Sequence, residues 1–264
     1  MLGQKRFCGQ SLRGAAWLLV IGWTLVASTS FADDAALRAQ GTKLMADGNF
    51  REAYVAFRQL CLDPTSDPRQ VPEDLSQAVN ALQQLGEIHE FDELVEGTVA
   101  AHPEARLVLQ RAAVWYQSIE HHGFRIANEF SRGYAGGEGV PLNSAERDRV
   151  RAWQLWNRCR ELVQQEDDKA GVAQFFLEFA QVLQQRDIYG STWRLQELTD
   201  LSTLPDYDEG HWFDPGSRGA PVGADGEVVV YGEPATWEAA ASDGERWRWA
   251  LAQVVENAPA RRPQ

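Results

Sequence analysis

The side chains most able to do chemistry in this sequence are five histidines, two cysteines of the main body and a group of acids near its carboxyl end. No two histidines stand four positions apart with an acid between them, the arrangement with which a helix binds zinc. Neighbouring His121 and His122 would point to different sides of a helix. The sequence therefore predicts no metal site at its histidines, which are His89, His102, His121, His122 and His211.

A run of acids follows residue 205 and could offer oxygen ligands to calcium. It lacks the D-x-D-x-D-G order and the closing glutamate of a calcium loop, so solvated loop acids are the favoured interpretation. Aromatic residues stand among these acids, and the segment is the best candidate for contact with a ligand. The acids are Asp206, Asp208, Glu209 and Asp214, and the candidate ligand loop is Tyr207, Asp208 and Trp212.

The glycine-rich stretch from Gly133 to Pro141 could cradle a phosphate group. It follows a helical pattern and lacks the G-K-[ST] of a phosphate-binding loop, so we expect a loop between helices. The sequence also lacks a G-x-S-x-G nucleophile motif. We predict no catalytic residue, no cofactor and no enzymatic activity.

Net charge excludes two classes of partner. The whole chain has a formal charge of -13, but residues 1–32 hold three basic residues and no acid. The remaining 232 residues carry 22 basic and 38 acidic side chains. Nucleic acids and anionic lipids need clustered lysine and arginine, so neither is an expected partner. With 44% hydrophobic residues, the chain is also unlike a disordered acidic tail.

Residues 1–32 have the three parts of a secretory signal peptide. Basic residues precede an apolar run from Ala15 to Ala27, and small residues surround Phe31. We expect cleavage after Ala32 and a periplasmic or extracellular protein. An uncleaved anchor is the alternative, but the run is shorter than the roughly 20 residues that span a membrane.

Cys61 and Cys159 lie in apolar helical patterns of the body. A buried free cysteine behaves as a small hydrophobic residue, and we favour that state. An oxidising compartment would also permit a bridge, so the disulfide stays an open alternative.

Apolar residues recur at three-four spacing from residue 33 to about 204, which predicts an all-α domain. Residues 41–64 are typical of a tetratricopeptide (TPR) repeat. Its signature is Gly48 at the turn, Ala53 and Phe57 on the second helix, and Pro64 at the end. A weaker unit follows, with a turn at His89, and a third helix pair is expected around 104–130. The predicted fold is mainly α, a TPR-like antiparallel helix-pair solenoid.

Residues 205–264 differ in composition. A short β-hairpin is predicted around Asp225 and Gly226, followed by a helix that begins near Ser242 with a capping box to Glu245. We expect three parts: a signal peptide (1–32), a TPR-like helical domain (33–204), and a loop, hairpin and terminal helix (205–264) packed on it.

Five blocks between residues 143 and 256 resemble the helical segment before the macroglobulin domains of secreted alpha-2-macroglobulin-like proteins of planctomycete-type bacteria. They include NSAERDRVRAWQL (143–155), EDDKAGVAQFFLEFAQVL (166–183) and SDGERWRWALAQVVE (242–256). Macroglobulin domains and a C-G-E-Q thioester sequence are absent from this chain. The resemblance implies an exported, non-catalytic interaction module whose partner is a protein or separate macroglobulin domains. An envelope enzyme or glycan-binding protein that uses the loop 206–214 is the alternative.

Overall fold

The computed structural model describes residues 33–134, 139–184, 195–209 and 222–258. These residues form a mainly helical protein with a small antiparallel sheet. Helix α1 covers 33–46. The other helices are α2 (Phe50–Leu62), α3 (Val71–Leu85), α4 (Phe91–Ala101), α5 (Arg106–Ser118), α6 (Ala145–Val163), α7 (Lys169–Gln184) and α8 (Asp243–Asn257), with 3-10 turns at Ile88–Glu90 and Trp237–Ala239.

Four strands form the sheet, in the order β2-β1-β3-β4 with antiparallel neighbours. They are β1 (His122–Ile126), β2 (Glu129–Arg132), β3 (Val140–Asn143) and β4 (Asp208–Glu209). The first three strands occupy the chain between α5 and α6. The fourth arrives from the segment that follows α7.

The prediction that residues 33–204 are entirely helical is therefore wrong. Ala127 and Asn128 both have positive φ, 50° and 69°, and form a two-residue hairpin turn between β1 and β2. This turn type usually contains glycine. Since neither turn residue is glycine, the sequence did not indicate a hairpin here. The alternation of Phe124 and Ile126 on one side of β1 was the available signal, but it extends over only a few residues.

Two further expectations are corrected by the sheet. The third helix pair, expected around 104–130, contributes only α5, because the chain leaves α5 at Ser118 and enters β1. The helix that packs on α5 is α6, beyond the sheet. His121 and His122 thus lie at the start of β1, and the loop from Gly133 to Pro141 joins two strands and not two helices. Residues 135–138 of that loop lie outside the described residues.

Each helix from α2 onward packs on its successor. In addition, α2 contacts α4 and α3 contacts α5. The predicted apolar stripe of α7 is buried in the shared core, with Trp156 of α6 stacked on Phe179 at a centroid distance of 5.8 Å. Helix α1 is fixed to α3 by the bidentate contact of Arg38 Nε with the Asp74 carboxylate, at 2.8 and 3.0 Å.

The predicted turn at Asp225 and Gly226 is present, since Gly226 has a φ of 82°. The hairpin around it is reduced to one isolated bridge between Val222 and Val228. The terminal helix is confirmed: the Ser242 hydroxyl accepts a hydrogen bond from the Glu245 N–H at 3.2 Å.

Trp237 connects the carboxyl-terminal part to the helices. Its ring lies 5.2 Å from that of Phe179 and 5.8 Å from that of Trp249. The guanidinium groups of Arg160 and Arg246 lie over it at 5.2 and 5.0 Å. Among the helices of the described ranges, none is both long enough and apolar enough to cross a bilayer.

Candidate ligand-binding cleft

A cleft of about 270 Å³ lies where the sheet meets helices α4, α5 and α6. Its lining comes from these three helices, from strand β2 and from the segment before β4. Ionisable and aromatic side chains alternate around it. The lining residues are Asp92, Glu96, Tyr116, Phe130, Arg147, Asp148, Arg151, Leu204 and Tyr207.

Aromatic rings and guanidinium groups stack in alternation along one wall. Arg132 lies between Phe91 and Phe130, with 5.2 and 5.3 Å from its guanidinium carbon to the ring centroids. Phe130 stacks on Tyr207 with ring centroids 4.3 Å apart. The guanidinium carbon of Arg147 lies over the Tyr207 ring, 4.8 Å from its centroid. Such cation–aromatic contacts stabilise best where water is excluded. The stack joins α4, β2, the segment before β4 and α6.

Arg132 does not line the cleft itself but contacts three residues that do, Asp92, Phe130 and Asp148, and its side chain is only 1% exposed. It donates two hydrogen bonds to Asp148, at 2.7 and 2.9 Å, and two to Asp92, at 2.8 and 3.0 Å. Burial lowers the pKa of Arg132, but the bonds to both carboxylates outweigh it and raise the pKa above its ordinary value. This arginine stays charged.

Asp148 is the buried partner of that arginine. Burial raises its pKa, but hydrogen bonds from His121, Arg132 and Ser144 outweigh burial, and the pKa lies below its ordinary value. The His121 Nδ1–H donates at 2.9 Å and the Ser144 hydroxyl at 2.7 Å. Asp148 is thereby held as a carboxylate.

Local sequence explains this arrangement. Gly123 pairs across the sheet with Arg132, and a methyl group at Gly123 would collide with the ring of Phe130. Glycine therefore lets that ring lie flat against β1. Ser144 is the N-cap residue of α6, but its hydroxyl is used by Asp148 and Arg132, and Asn143 Oδ1 accepts the Ala145 N–H at 2.7 Å instead.

The second acid of the cleft, Glu96, is held by two donors. Arg151 donates to both its oxygens at 2.7 and 2.6 Å, and the Tyr116 hydroxyl donates at 2.8 Å. Burial, followed by the charge of Glu96, raises the pKa of Tyr116 well above its ordinary value. Tyr116 therefore stays a neutral hydrogen-bond donor.

Arg147 differs from the other arginines of the cleft. Its Nη1 donates to the Pro205 carbonyl at 2.7 Å. In the part of the chain that the structure describes, no carboxylate lies within 4.0 Å of its guanidinium nitrogens. It is the cation of the cleft without an acidic partner there.

The candidate ligand loop is only partly at this cleft. Tyr207 lines it and is half-buried, and its contact with a ligand stays a prediction. Asp208 pairs with Asn143 at the sheet edge and is exposed. Trp212 and Asp214 lie outside the described residues. Of the other acids, Asp206 is exposed and Glu209 accepts a hydrogen bond from Arg125 at 2.7 Å.

The repeat-signature residues lie away from the cleft. Gly48 has a φ of 78° at the α1–α2 turn, Ala53 and Phe57 are buried, and Pro64 follows α2. Sequence reasoning missed Gly41, where a methyl group would lie 2.9 Å from Cζ of Phe57. The signal was its position twelve residues before Ala53, on the preceding helix of the predicted repeat.

The two cysteines are buried free thiols in α2 and α6. Burial raises the pKa of both, that of Cys159 to about 12. His102 Nε2–H donates to the Cys61 carbonyl at 3.1 Å. Within the described ranges, no three His, Cys, Asp or Glu side chains are grouped so as to hold a metal ion.

A second, more open depression of about 440 Å³ runs along α2. Its lining comes from this helix and the residue after it, so the chain does not bring distant side chains together there. The depression lies beside Val55, Arg58, Gln59, Leu62 and Asp63. The cleft at the sheet is therefore the stronger candidate site.

Comparison with known proteins gives no relative. The chain matches no protein-family model, no curated protein and no solved structure.

Proposed function

We propose that this protein is an exported, non-catalytic interaction module, built from TPR-like helix pairs, that binds a protein partner at the cleft between its sheet and helices α4–α6. We also propose that residues 1–32 are a cleaved signal peptide and that the protein is exported. The resemblance to alpha-2-macroglobulin-like proteins is part of the same proposal. The expected partner is a cell-envelope protein or a separately encoded macroglobulin.

Helix packing supports the repeat architecture. Contacts of α2 with α3 and α4, and of α3 with α4 and α5, follow the order in which stacked helix pairs bury their apolar faces. The close approach of Gly41 to Phe57 gives the first pair the small-to-aromatic contact of a TPR unit. The sheet is then an addition between the two helices of the third pair, α5 and α6.

The single observation that carries the proposal of binding without catalysis is the pairing of the cleft acids. Asp92 and Asp148 share Arg132, and Glu96 is held by Arg151. Hydrogen bonds from His121, Arg132 and Ser144 hold the pKa of Asp148 below its ordinary value, so this carboxylate is a poor proton donor and a weak base near neutral pH. Such an arrangement fixes a surface and transfers no protons.

The experiment compares three forms of the 33–264 protein immobilised against an envelope extract, with quantitative mass spectrometry of what is retained. Tyr207→Ala removes a wall of the cleft, and Arg58→Ala, on the α2 depression, is the matched surface control. We expect a protein retained by the wild type and by Arg58→Ala and lost with Tyr207→Ala. Equal retention by all three would contradict the proposed site. Amino-terminal sequencing of the exported protein, with Asp33 first, tests the cleavage.

An envelope enzyme or glycan-binding protein that uses the loop 206–214 is the second candidate. The half-buried pair of Tyr207 and Phe130 favours it, because aromatic side chains offer apolar surface to a sugar ring. Asp208→Ala and Trp212→Ala would then abolish glycan binding or turnover with little loss of stability. Unchanged binding in both variants would remove this alternative.

A further inference from the structure

We infer that the cleft binds a carboxylate group carried next to an apolar or aromatic side chain, such as the carboxyl-terminal residue of a peptide, and that Arg147 receives the carboxylate. This inference rests on the proposed function and names the chemistry that the partner presents at the cleft.

Arg147 has no acidic partner among the described residues, which is the first reason for the inference. The body carries 38 acidic and 22 basic side chains, so most arginines find an acid. Within the cleft, Arg132 and Arg151 each do so. Arg147 instead uses one donor on a backbone carbonyl, which leaves further N–H groups of its planar guanidinium for a ligand.

The position of Arg147 on its helix is the second argument. It is the third residue of α6, close to the positive end of the helix dipole. A cation is disfavoured in the first turn, whereas an anion is stabilised there. Glu146 and Asp148 already place two acids in this turn, but neither pairs with Arg147. A bound carboxylate would pair with the guanidinium and offset its charge.

The surroundings decide which anion fits. Asp92 and Glu96 line the same cleft, 37% and 44% exposed, and would repel a doubly charged phosphate more than a singly charged carboxylate. Phe130, Tyr207 and Leu204 supply apolar surface beside Arg147. At about 270 Å³, the cleft is slightly below the usual range for drug-sized ligands, which matches a group the size of one residue.

The geometry of Arg147 is fixed before any ligand arrives. Its guanidinium lies on the Tyr207 ring at 4.8 Å and is held by Pro205. A rigid, forked donor recognises the two oxygens of a carboxylate together, which lysine does not do. Arg147 therefore determines the specificity of the cleft for a carboxylate over an amide.

The test is calorimetric titration and two-dimensional NMR of the 33–264 protein with three probes: N-acetylphenylalanine, N-acetylphenylalaninamide and inorganic phosphate. We expect the acid to bind at least about tenfold more tightly than the amide and than phosphate, with shifts at Arg147 and Tyr207. In Arg147→Gln the preference for the acid is lost, and in Arg147→Lys it is reduced. Both variants are first checked for unchanged circular dichroism and melting temperature. Arg125→Gln, in the exposed ion pair of β1 with Glu209, is the matched control.

Equal binding of acid and amide, tighter binding of phosphate, or no binding of the acid would each overturn the inference. Capture of a partner that depends on Tyr207, together with any of these results, would refute carboxylate recognition and leave the proposed function intact. If no partner is captured in a way that depends on Tyr207, both the proposed function and carboxylate recognition are refuted.

Discussion

Tyr207 stacks on Phe130 with ring centroids 4.3 Å apart and ring planes at 20°, which fixes the segment before β4 against strand β2. The two residues belong to stretches that are far apart along the chain. Both residues line the cleft, so their contact joins two parts of its lining.

Replacing Tyr207 by alanine should release residues 201–209 without unfolding the helices. An aromatic pair adds about 0.5–1.5 kcal/mol beyond its buried area, which is comparable to the local stability of a short edge strand. Amide hydrogen exchange should show lost protection at β4 and unchanged protection in α6. Tyr207→Phe keeps the ring and should retain protection; equal loss in both variants would contradict the role of stacking.

Arg132→Met should destabilise the protein strongly. Removing one partner of a buried ion pair costs about 3–5 kcal/mol, because the other charge stays buried and unpaired. Here Asp148, 3% exposed, loses its arginine. Urea unfolding measures the change. Arg125→Met, whose pair with Glu209 is exposed, is the control and should cost less than about 1 kcal/mol. Similar losses of stability in Arg132→Met and Arg125→Met would contradict the prediction that the buried pair contributes more.

Gly41→Ala and Gly97→Ala should have opposite effects. Both glycines lie inside helices, where alanine is favoured by about 1 kcal/mol. At Gly41 the new methyl group meets the buried ring of Phe57 at 2.9 Å, and overpacking of about 1–3 kcal/mol should dominate. At Gly97 it meets only Cδ2 of Leu62, the end of a flexible side chain. The melting temperature of Gly97→Ala should be higher than that of the wild type, and that of Gly41→Ala should be lower. The reverse order would contradict the prediction.

Stability should fall as the pH drops below about 6.5, with His102 contributing to the fall. Burial lowers the pKa of His102, although its bond to the Cys61 carbonyl opposes this. Below the unfolded pKa the unfolded chain takes up a proton that the folded chain does not, so the contribution present above that pH is lost as the pH falls. In His102→Gln, the free energy of unfolding measured with urea should depend less on pH between pH 7 and the lowered pKa of His102. An unchanged slope would contradict this.

Cys61 and Cys159 should resist thiol reagents in the folded protein. Both are buried and burial raises their pKa, so little thiolate is available. Labelling of the 33–264 protein with a maleimide, followed by intact mass, should give no adduct in buffer and two adducts in denaturant. A protein two hydrogens lighter that gives no adduct in denaturant would identify a disulfide instead.

Helices were the predictable part of this fold, since the apolar stripes of α6, α7 and α8 extend over several turns. The capping box at Ser242 located the start of α8 because its two residues interact within one turn. The strands were missed because each has five residues or fewer and their pairing joins segments distant in sequence. The alternation of apolar and polar residues that indicates a strand cannot be recognised over so few residues.

The cleft was only partly predictable. Tyr207 was identified from the composition of its loop, whereas Arg147 and Arg151 looked like ordinary charges on a helix. Their role depends on which carboxylates the fold brings near: Glu96 lies within bonding distance of Arg151, and no described acid does so for Arg147. That pairing is set by tertiary packing, which a helical pattern does not encode.

The backbone N–H of Ser144 donates to the carbonyl of His121 at 2.7 Å, so the chain leaves the helices for the sheet and returns to them at one point. A segment with coincident entry and exit can be gained or lost without changing the order in which α5 and α6 follow each other. Strands β1–β3 thus form an insertion between α5 and α6, and Arg132 of β2 anchors it to α4 and α6. Because Phe130 and Arg132 lie in this insertion, a stack of the helices alone would lack the strand lining of the cleft and the arginine that pairs with two of its acids.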